Sequence, residues 1–540
     1  MASPTPTAAQ PSAMRSILRT LRPTHAHTAL TATLLLTGAA FLSKIISLVR
    51  VKYLLLVLGR SPAADAFNAM FQLPDLVAYF LIGGVASITF VTMLTRYRES
   101  GREAEGQEAF SVVFTTMSIV LTLAVLVAEL LAPAYVRHAF PGFERDPAQF
   151  ALCVHLTRII LPGQIFFFGG GMFGAVLIAR RQFTLQAFAP LIYNLGQIIG
   201  GLLLFRYLGV SSIAWGALAG VILGPFLING LGARRLGMHV RFRLDFRNEG
   251  LRYWVRQSLP LILGVSLVTV DIWIINYFAS HLRGAVTLFT NAKQLFSVPQ
   301  MIGQAAGAAS LPFLASLFGK DNGIPFARSV NDSVGRIVVV SLLLAAFLAP
   351  MSGLAVDLYS RGGSFHRADA DAMGLYFAIF SLSLPFWSSQ AIYARAFYAS
   401  GNTLVPMSAS TAVVLGSLPI YALLFHRFGA VGLAWASDLG ITIQALVFAL
   451  LLHRRRLVPA AGLDYAELAR TLLAAALSSG TLFAIRHSLP AQLGRWAELA
   501  ILLATAALWA AICLAVLRLT GSALPALLVS KLQRRRRTVP

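Results

Sequence analysis

The sequence predicts an all-α polytopic membrane protein with about fourteen transmembrane helices, arranged as two six-helix lobes plus two C-terminal helices. Composition, the spacing of apolar runs and an internal repeat lead there. Of 540 residues, 57% are hydrophobic and 12% charged, about half the charged share of a soluble domain. Mean hydropathy is +0.72. The apolar residues suffice for at most about fifteen spans of ~20 residues each. A soluble enzyme, a disordered chain and a disulfide scaffold all fit this composition poorly. The two cysteines, Cys153 and Cys513, lie in apolar runs, which excludes a disulfide framework or a Cys-based metal site.

The apolar runs give the elements in order. Residues 1–28, rich in Pro, Thr and Ala and carrying Arg15, Arg19 and Arg22, read as a disordered cytoplasmic tail and not as a cleavable signal peptide. Spans 1–6 are expected near 29–50, 65–96, 108–134, 149–180, 185–207 and 211–232. Residues 233–256 form a basic linker. Spans 7–12 follow near 257–280, 285–318, 328–358, 368–399, 405–426 and 429–453. Spans 13 and 14 lie near 464–487 and 494–518, within a segment 464–518, and residues 519–540 are a basic tail.

The formal charge is +23. In a soluble chain that would point to nucleic acid. Here the bases fall where cytoplasmic loops are expected: Arg96, Arg98 and Arg102, then Arg180 and Arg181. The linker holds Arg234, Arg235, Arg241, Arg243, Arg247, Arg252 and Arg256. Arg454 to Arg456, Lys531 and Arg534 to Arg537 follow. The expected outer loops hold single bases such as Arg137, Arg206, Arg283 and Arg427. Most of the excess is therefore topological; an even number of spans puts both termini in the cytoplasm, and no nucleic-acid partner is expected.

The chain repeats itself at an offset near 220 residues. FNAMFQLP (67–74) answers TNAKQLFSVP (290–299), and each precedes a helix rich in Gly, Ala and Ser. LLAP (130–133) answers FLAP (347–350), and Pro162 answers Pro385. Six spans per repeat make the two lobes parallel, related by an axis along the membrane normal. Pro74, Gly83 and Gly84 in span 2 match Pro299, Gly303, Gly307 and Pro312 in span 8. Such paired interruptions point to hinges at a transporter's binding site. Close helix packing through small residues, as at Gly303/Gly307 or Gly170/Gly174, accounts for them equally.

Ionisable residues inside spans are costly and face a cavity or a partner. Lys44, Arg50, Lys293 and Arg395 are the notable cations, with Lys52 and Arg50 near enough to a helix end to snorkel. Such cations suit an amphiphile with a diphosphate head. Asp65 either caps span 2 or neutralises a cation of span 1. Asp271 is a cation ligand or an ion-pair partner, and Asp438 has no evident role. No P-loop, HExxH, CxxC or nucleophile motif occurs, so the chain reads as a transporter and not an enzyme.

SKIISLVRVKYLLLVLGRSPAADAFNAMFQLPDLVAYFLIGGVASITFV (43–91) resembles the start of the MurJ/MviN lipid II flippases of the MOP exporter superfamily. AFAPLIYN (187–194), INYFAS (275–280), SLPFLASL (310–317) and AFYASGNTLVP (396–406) fall where that family has similar strings. The resemblance spans roughly residues 30–520. It implies two lobes around a cationic cavity in the bacterial cytoplasmic (inner) membrane. It also implies transport of undecaprenyl-diphosphate-linked disaccharide-pentapeptide (lipid II) by alternating access, for peptidoglycan and cell-wall biosynthesis. Spans 13 and 14 would form a groove for the lipid tail. Lys44 and Arg50 match the family's cations of span 1, and Asp65 its acid opening span 2. With Lys293, Gln294 and Arg395 these are the expected substrate-binding residues. Ala78 and Tyr79 stand where many members have bases, and Gln294 at an arginine position. No organic cofactor is expected; the drive would be membrane potential or a sodium ion near Asp271 and Asn402. The expected partners are lipid II, membrane lipids and cell-wall synthesis proteins around a monomer. The rival readings are an exporter of another polyprenyl-diphosphate-linked oligosaccharide and a non-transporting scaffold of the same fold.

The topology is open to a direct check. Single cysteines placed in 233–256 should resist membrane-impermeant thiol reagents applied from outside, and labelling there would overturn the assignment.

Overall fold

Residue 29 opens the first helix of the computed structural model, which describes residues 29–81, 83–262, 267–319, 323–490, 493–522 and 524. The expected tail 1–28, and Lys531 with Arg534 to Arg537, lie outside the described residues. Nineteen α-helices are described: α1 (Ala29–Leu58), α2 (Pro62–Ala69), α3 (Gln72–Leu81), α4 (Gly83–Glu99), α5 (Glu103–Ala139), α6 (Pro147–Ile160), α7 (Gly163–Ala179), α8 (Thr184–Leu208), α9 (Ser211–Val221), α10 (Asn229–Arg235), α11 (Glu249–Ile262), α12 (Leu267–Ala279), α13 (Ala285–Leu317), α14 (Ile324–Ser360), α15 (Arg367–Leu382), α16 (Leu384–Ala399), α17 (Leu404–Arg454), α18 (Tyr465–Ser488) and α19 (Arg495–Leu519). Among the described residues the only β feature is an isolated bridge between Gly362 and Phe365. The all-α class therefore holds, and the chain is a multi-pass membrane protein. Among the described residues, eight helical stretches are long and apolar enough to cross a membrane, or nine when α15 and α16, bent by 46°, count as one. These criteria do not establish the number fourteen; α1, for one, carries Lys44, Arg50 and Lys52.

The chain divides into two compact units. The first comprises 1–51, 70–136 and 150–263; the second comprises 52–69, 137–149 and 264–540. These differ from the expected lobes in that 52–69 and 137–149 belong to the second unit.

The repeat is visible in the backbone. α7 and α16 end at Ala179 and Ala399, and each is followed by a residue with left-handed φ, Arg181 (57°) and Gly401 (75°). α8 and α17 then start at Thr184 and Leu404. Further on, Gly209 has φ 53° and ψ −137°, and Gly429 has φ 58° and ψ −137°. Only glycine adopts that conformation readily. Both glycines turn the chain back on itself. α17 shows this: Tyr421 and Ser437 bond the same carboxylate, although sixteen residues of straight helix would span about 24 Å. Gln444 likewise reaches Ser410, at 2.9 Å. A third shared detail is the side-chain amide of the NA motif. Asn68 donates to the Ala64 carbonyl and Asn291 to the Thr287 carbonyl, each at 2.8 Å.

The first unit packs α8 against α9 through glycine. A Cβ on Gly216 would lie 2.3 Å from the Gly196 carbonyl oxygen, and one on Gly200 2.6 Å from the Gly216 Cα. Without a hydrophobic drive between helices in lipid, such backbone approach supplies the association energy. The expected basic linker is partly ordered on α5. Backbone amides of Arg241 and Arg243 donate to Ser111 and Thr115, and Arg243 pairs with Glu108 at 3.0 Å. Its C-terminal end is already helical: α11 opens at Glu249 and buries Leu251 and Trp254.

In the second unit, span 8 is one continuous helix, α13, across Pro299, Gly303 and Pro312. The hinge expectation for Pro299 and Gly303 thus meets an unbroken helix. Gly303 is a packing contact, where a Cβ would lie 2.5 Å from Ser388 Oγ of α16. The expected counterpart, span 2, is divided: α2 ends before a turn at Met70–Phe71, Pro74 lies in α3, and Gly83 and Gly84 open α4. α18 and α19 rest on α14 through Met351, Leu354 and Leu482 with Phe347 and Trp509. Trp509 donates to the Leu343 carbonyl at 3.0 Å, and buried Glu498 takes Arg361 at 3.1 Å.

Asp65 has neither expected role. It is 1% exposed and caps α13 from outside that helix. Its Oδ2 accepts from the Gly284 amide at 2.7 Å, and its Oδ1 from the Thr287 amide (2.7 Å) and hydroxyl (2.6 Å). The carboxylate thereby satisfies N–H groups at the positive end of a 33-residue helix.

Two stability outcomes follow. Asp65→Ala should cost about 2–4 kcal/mol, because charged hydrogen bonds are lost and buried donors orphaned; an unchanged melting temperature in detergent would contradict the capping role. Gly216→Leu should cost about 1–3 kcal/mol or more by overpacking. Gly416→Leu, in open space, should leave the melting temperature near the parent's.

Candidate functional site

The polar residues of α1 form one stripe. Ser43, Ser47 and Arg50 recur at helical spacing, and α8 meets them with its own polar residues. Asn194 donates to Ser43 at 3.3 Å, and Arg50 Nη1 donates to Gln197 Oε1 at 3.0 Å. Gln197 is fully buried and Ser47 nearly so. Lys44 lies within the electrostatic field of Arg50. The first unit thus holds two neighbouring cations on one helix, with the Arg50 guanidinium oriented by Gln197. Asp75, on α3, lies close enough to Tyr135 and Tyr193 to act on both.

The second unit holds a denser cluster. Lys293 of α13 pairs with Asp271 of α12 at 2.8 Å, and its ammonium donates to Ser437 Oγ at 2.6 Å. Ser437 in turn donates to Asp271 Oδ2 at 3.1 Å, and the Tyr421 hydroxyl donates to Asp271 Oδ1. Asp271 therefore has an ammonium and two hydroxyls around one carboxylate. Aromatic faces enclose the cation: Phe380 at 3.9 Å, Trp387 at 5.4 Å and Phe296 at 5.8 Å from Nζ. Such rings stabilise a desolvated cation through their quadrupoles. Side-chain exposure is 14% for Lys293 and 5% for Asp271, so the pair is largely out of water.

The structure thus brings Lys293 and Asp271 together, and Asp271 is an ion-pair partner. The sodium expectation at Asp271 and Asn402 does not fit. Asn402 caps the start of α17, accepting from the Val405 amide at 3.1 Å. From Leu404 to Tyr421, which touches Asp271, seventeen residues of helix cover about 25 Å. Among the described residues, no group of three or more His, Cys, Asp or Glu is placed to hold a metal. Arg395 lies on α16 and turns Nη1 back to the Ala391 carbonyl at 3.3 Å. Gln294 follows Lys293 on α13, and its carbonyl accepts from Ser297 at 2.5 Å.

Sequence reasoning did not single out Tyr421 and Ser437. They lie 150 and 166 residues from Asp271, and no local pattern links them. The available signal was the Ser-Asp pair at 437–438 inside an apolar run.

A family profile described as "MurJ: Lipid II flippase MurJ" matches residues 55–504. A "Probable lipid II flippase MurJ" of Rhizobium meliloti (strain 1021) is 26% identical over 466 residues, covering 83% of this chain and 84% of the relative. The "Lipid II flippase MurJ" of Burkholderia cenocepacia is 24% identical, covering 78% and 84%. Among solved structures, "Lipid II flippase MurJ, inward closed conformation" superposes with a TM-score of 0.73 at 19% identity, over 90% of this chain and 99% of that one. An inward-facing multidrug resistance MATE family transporter of the MOP superfamily gives 0.62 at 14% identity, over 76% and 94%. These two likenesses establish the MOP-type fold. With residues 55–504 of its 540 matched by the family profile, the chain belongs to the lipid II flippase MurJ family.

Proposed function

We propose that the chain carries lipid II across the bacterial cytoplasmic membrane by alternating access, to supply peptidoglycan synthesis. The match of the family profile to residues 55–504 carries this reading. The chemistry of α1 agrees with it. A diphosphate needs at least two positive charges, and Lys44 and Arg50 supply a point charge and a fork on one helix. Lys293 takes a different part from the one its position in the sequence suggests. Its countercharge is Asp271, so it acts within its own unit and the diphosphate is left to α1. The protein works as a transporter and not an enzyme, as a monomer with both termini cytoplasmic, beside membrane lipids and cell-wall synthesis proteins. Membrane potential supplies the drive, at ~2.3 kcal/mol per charge per 100 mV.

A second reading has one observation in its favour. Ala78 and Tyr79 follow Pro74, where the resemblance leads one to expect bases. An exporter of another polyprenyl-diphosphate-linked glycan would share the diphosphate chemistry and differ in the sugar contacts.

Growth rescue separates the two. In a tester bacterium depleted of its own lipid II flippase, this chain should restore growth, and failure despite membrane expression would reject lipid II as substrate. Lys44→Ala and Arg50→Ala should each cut rescue at least tenfold, since each removes a charge-assisted contact of about 1.5–3 kcal/mol. Full rescue by both would rule out diphosphate binding by α1.

A further inference from the structure

Asp438 sits next to Ser437 in the second arm of α17. It is 6% exposed, and neither oxygen of its carboxylate accepts a hydrogen bond. The titratable groups facing it are Lys293 of α13, Asp271 of α12 and Tyr421 of the other arm of α17. From the junction of α15 and α16 comes only the hydroxyl of Ser383.

The two acids are treated differently by their surroundings. Asp271 receives the ammonium and two hydroxyl donors. Asp438 has the Ser383 hydroxyl beside it and no ammonium of its own, and one lysine faces two carboxylates. With both ionised, the cluster would hold an unanswered negative charge in an apolar lobe, a state that buried groups avoid by taking up a proton. The Ser383 hydroxyl lies 2.8 Å from the Phe380 carbonyl, which competes with Asp438 for its one proton.

We infer that Asp438 is a proton-binding site: it holds a proton while Asp271 holds Lys293. On giving that proton to water, it becomes a second carboxylate competing for the same ammonium. Release turns the carboxylic acid into a carboxylate and water into hydronium, so the cluster moves from neutral to a single negative charge. The Lys293–Asp271 pair then has an alternative partner one residue from the hydroxyl that now bridges it. A metal ion in the same place would face the Lys293 ammonium and find Ser437 already engaged, which favours the proton. Use of this proton in transport rests on the flippase reading; its binding does not.

The test is an infrared pH titration of the full-length chain in phosphatidylethanolamine/phosphatidylglycerol nanodiscs, without lipid-linked substrate. A protonated-carboxyl C=O band should fade as pH rises. It should be diminished in Asp438→Asn, and shifted in part in Asp438→Glu. Lys293→Met should enlarge it, because Asp271 then takes a proton as well. Gel filtration reports folding of each variant; if Asp438→Asn fails to fold, Asp438→Glu and Lys293→Met carry the decision. An undiminished band in folded Asp438→Asn, or no band shift in Asp438→Glu, overturns the proposal. So does a band bleached at fixed pH when sodium chloride replaces choline chloride, which would make the site a cation site. Failed growth rescue with the expected spectra would count against the flippase reading alone.

Discussion

A charge held among apolar helices has to be answered by another charge or by hydrogen bonds, because no water is there to do it. The Lys293–Asp271 pair is where this constraint organises the second unit. To satisfy one carboxylate and one ammonium, the fold draws on α12, α13 and both arms of α17, and closes the cation off with rings from α13, α15 and α16. The arms of α17 meet there only because Gly429 reverses the chain. The same demand explains Asp65, whose buried carboxylate is tolerated because three donors at the start of α13 surround it. The helix that carries Lys293 is therefore anchored at its first turn by one acid and at its third by another.

Much of this was legible in the sequence. Apolar runs located several helices to within a few residues, as at 184–208 against an expected 185–207, but ran the divided span 2 together. The offset near 220 residues anticipated the matched backbone at Gly209 and Gly429. What could not be read was which charges meet. Asp65 looked like a local cap or a partner for span 1; its true partners are about 220 residues away. Asp271 and Asn402 looked adjacent by family likeness, and the first arm of α17 from Leu404 to Tyr421 separates them. Gly303 and Pro299 looked like a hinge, yet the glycine lets α16 approach and the helix runs on. Periodicity reports which face of a helix is apolar and says nothing of which distant helix that face meets.

The two units handle their buried polar groups in different ways. In the first, Arg50 donates to a neutral partner, Gln197, which orients the guanidinium. In the second, Lys293 is cancelled by Asp271. An oriented guanidinium is suited to an anionic ligand that comes and goes. A cancelled cation is suited to holding helices in register, with the pairing itself open to exchange.

The order in which the cluster's members emerge during synthesis has a consequence for assembly. At about 5–20 residues per second, Lys293 follows Asp271 within about 1–4 s. Tyr421 and Ser437 arrive roughly 8–33 s after Asp271. A newly inserted Asp271 thus gains its counter-ion almost at once, long before its hydroxyl donors exist. Asp438 is made last, after Lys293 has been claimed by Asp271. Loss of Lys293 would therefore leave an acid exposed in the bilayer through most of the synthesis of the second unit, and the defect would begin at the ribosome before any transport cycle had run.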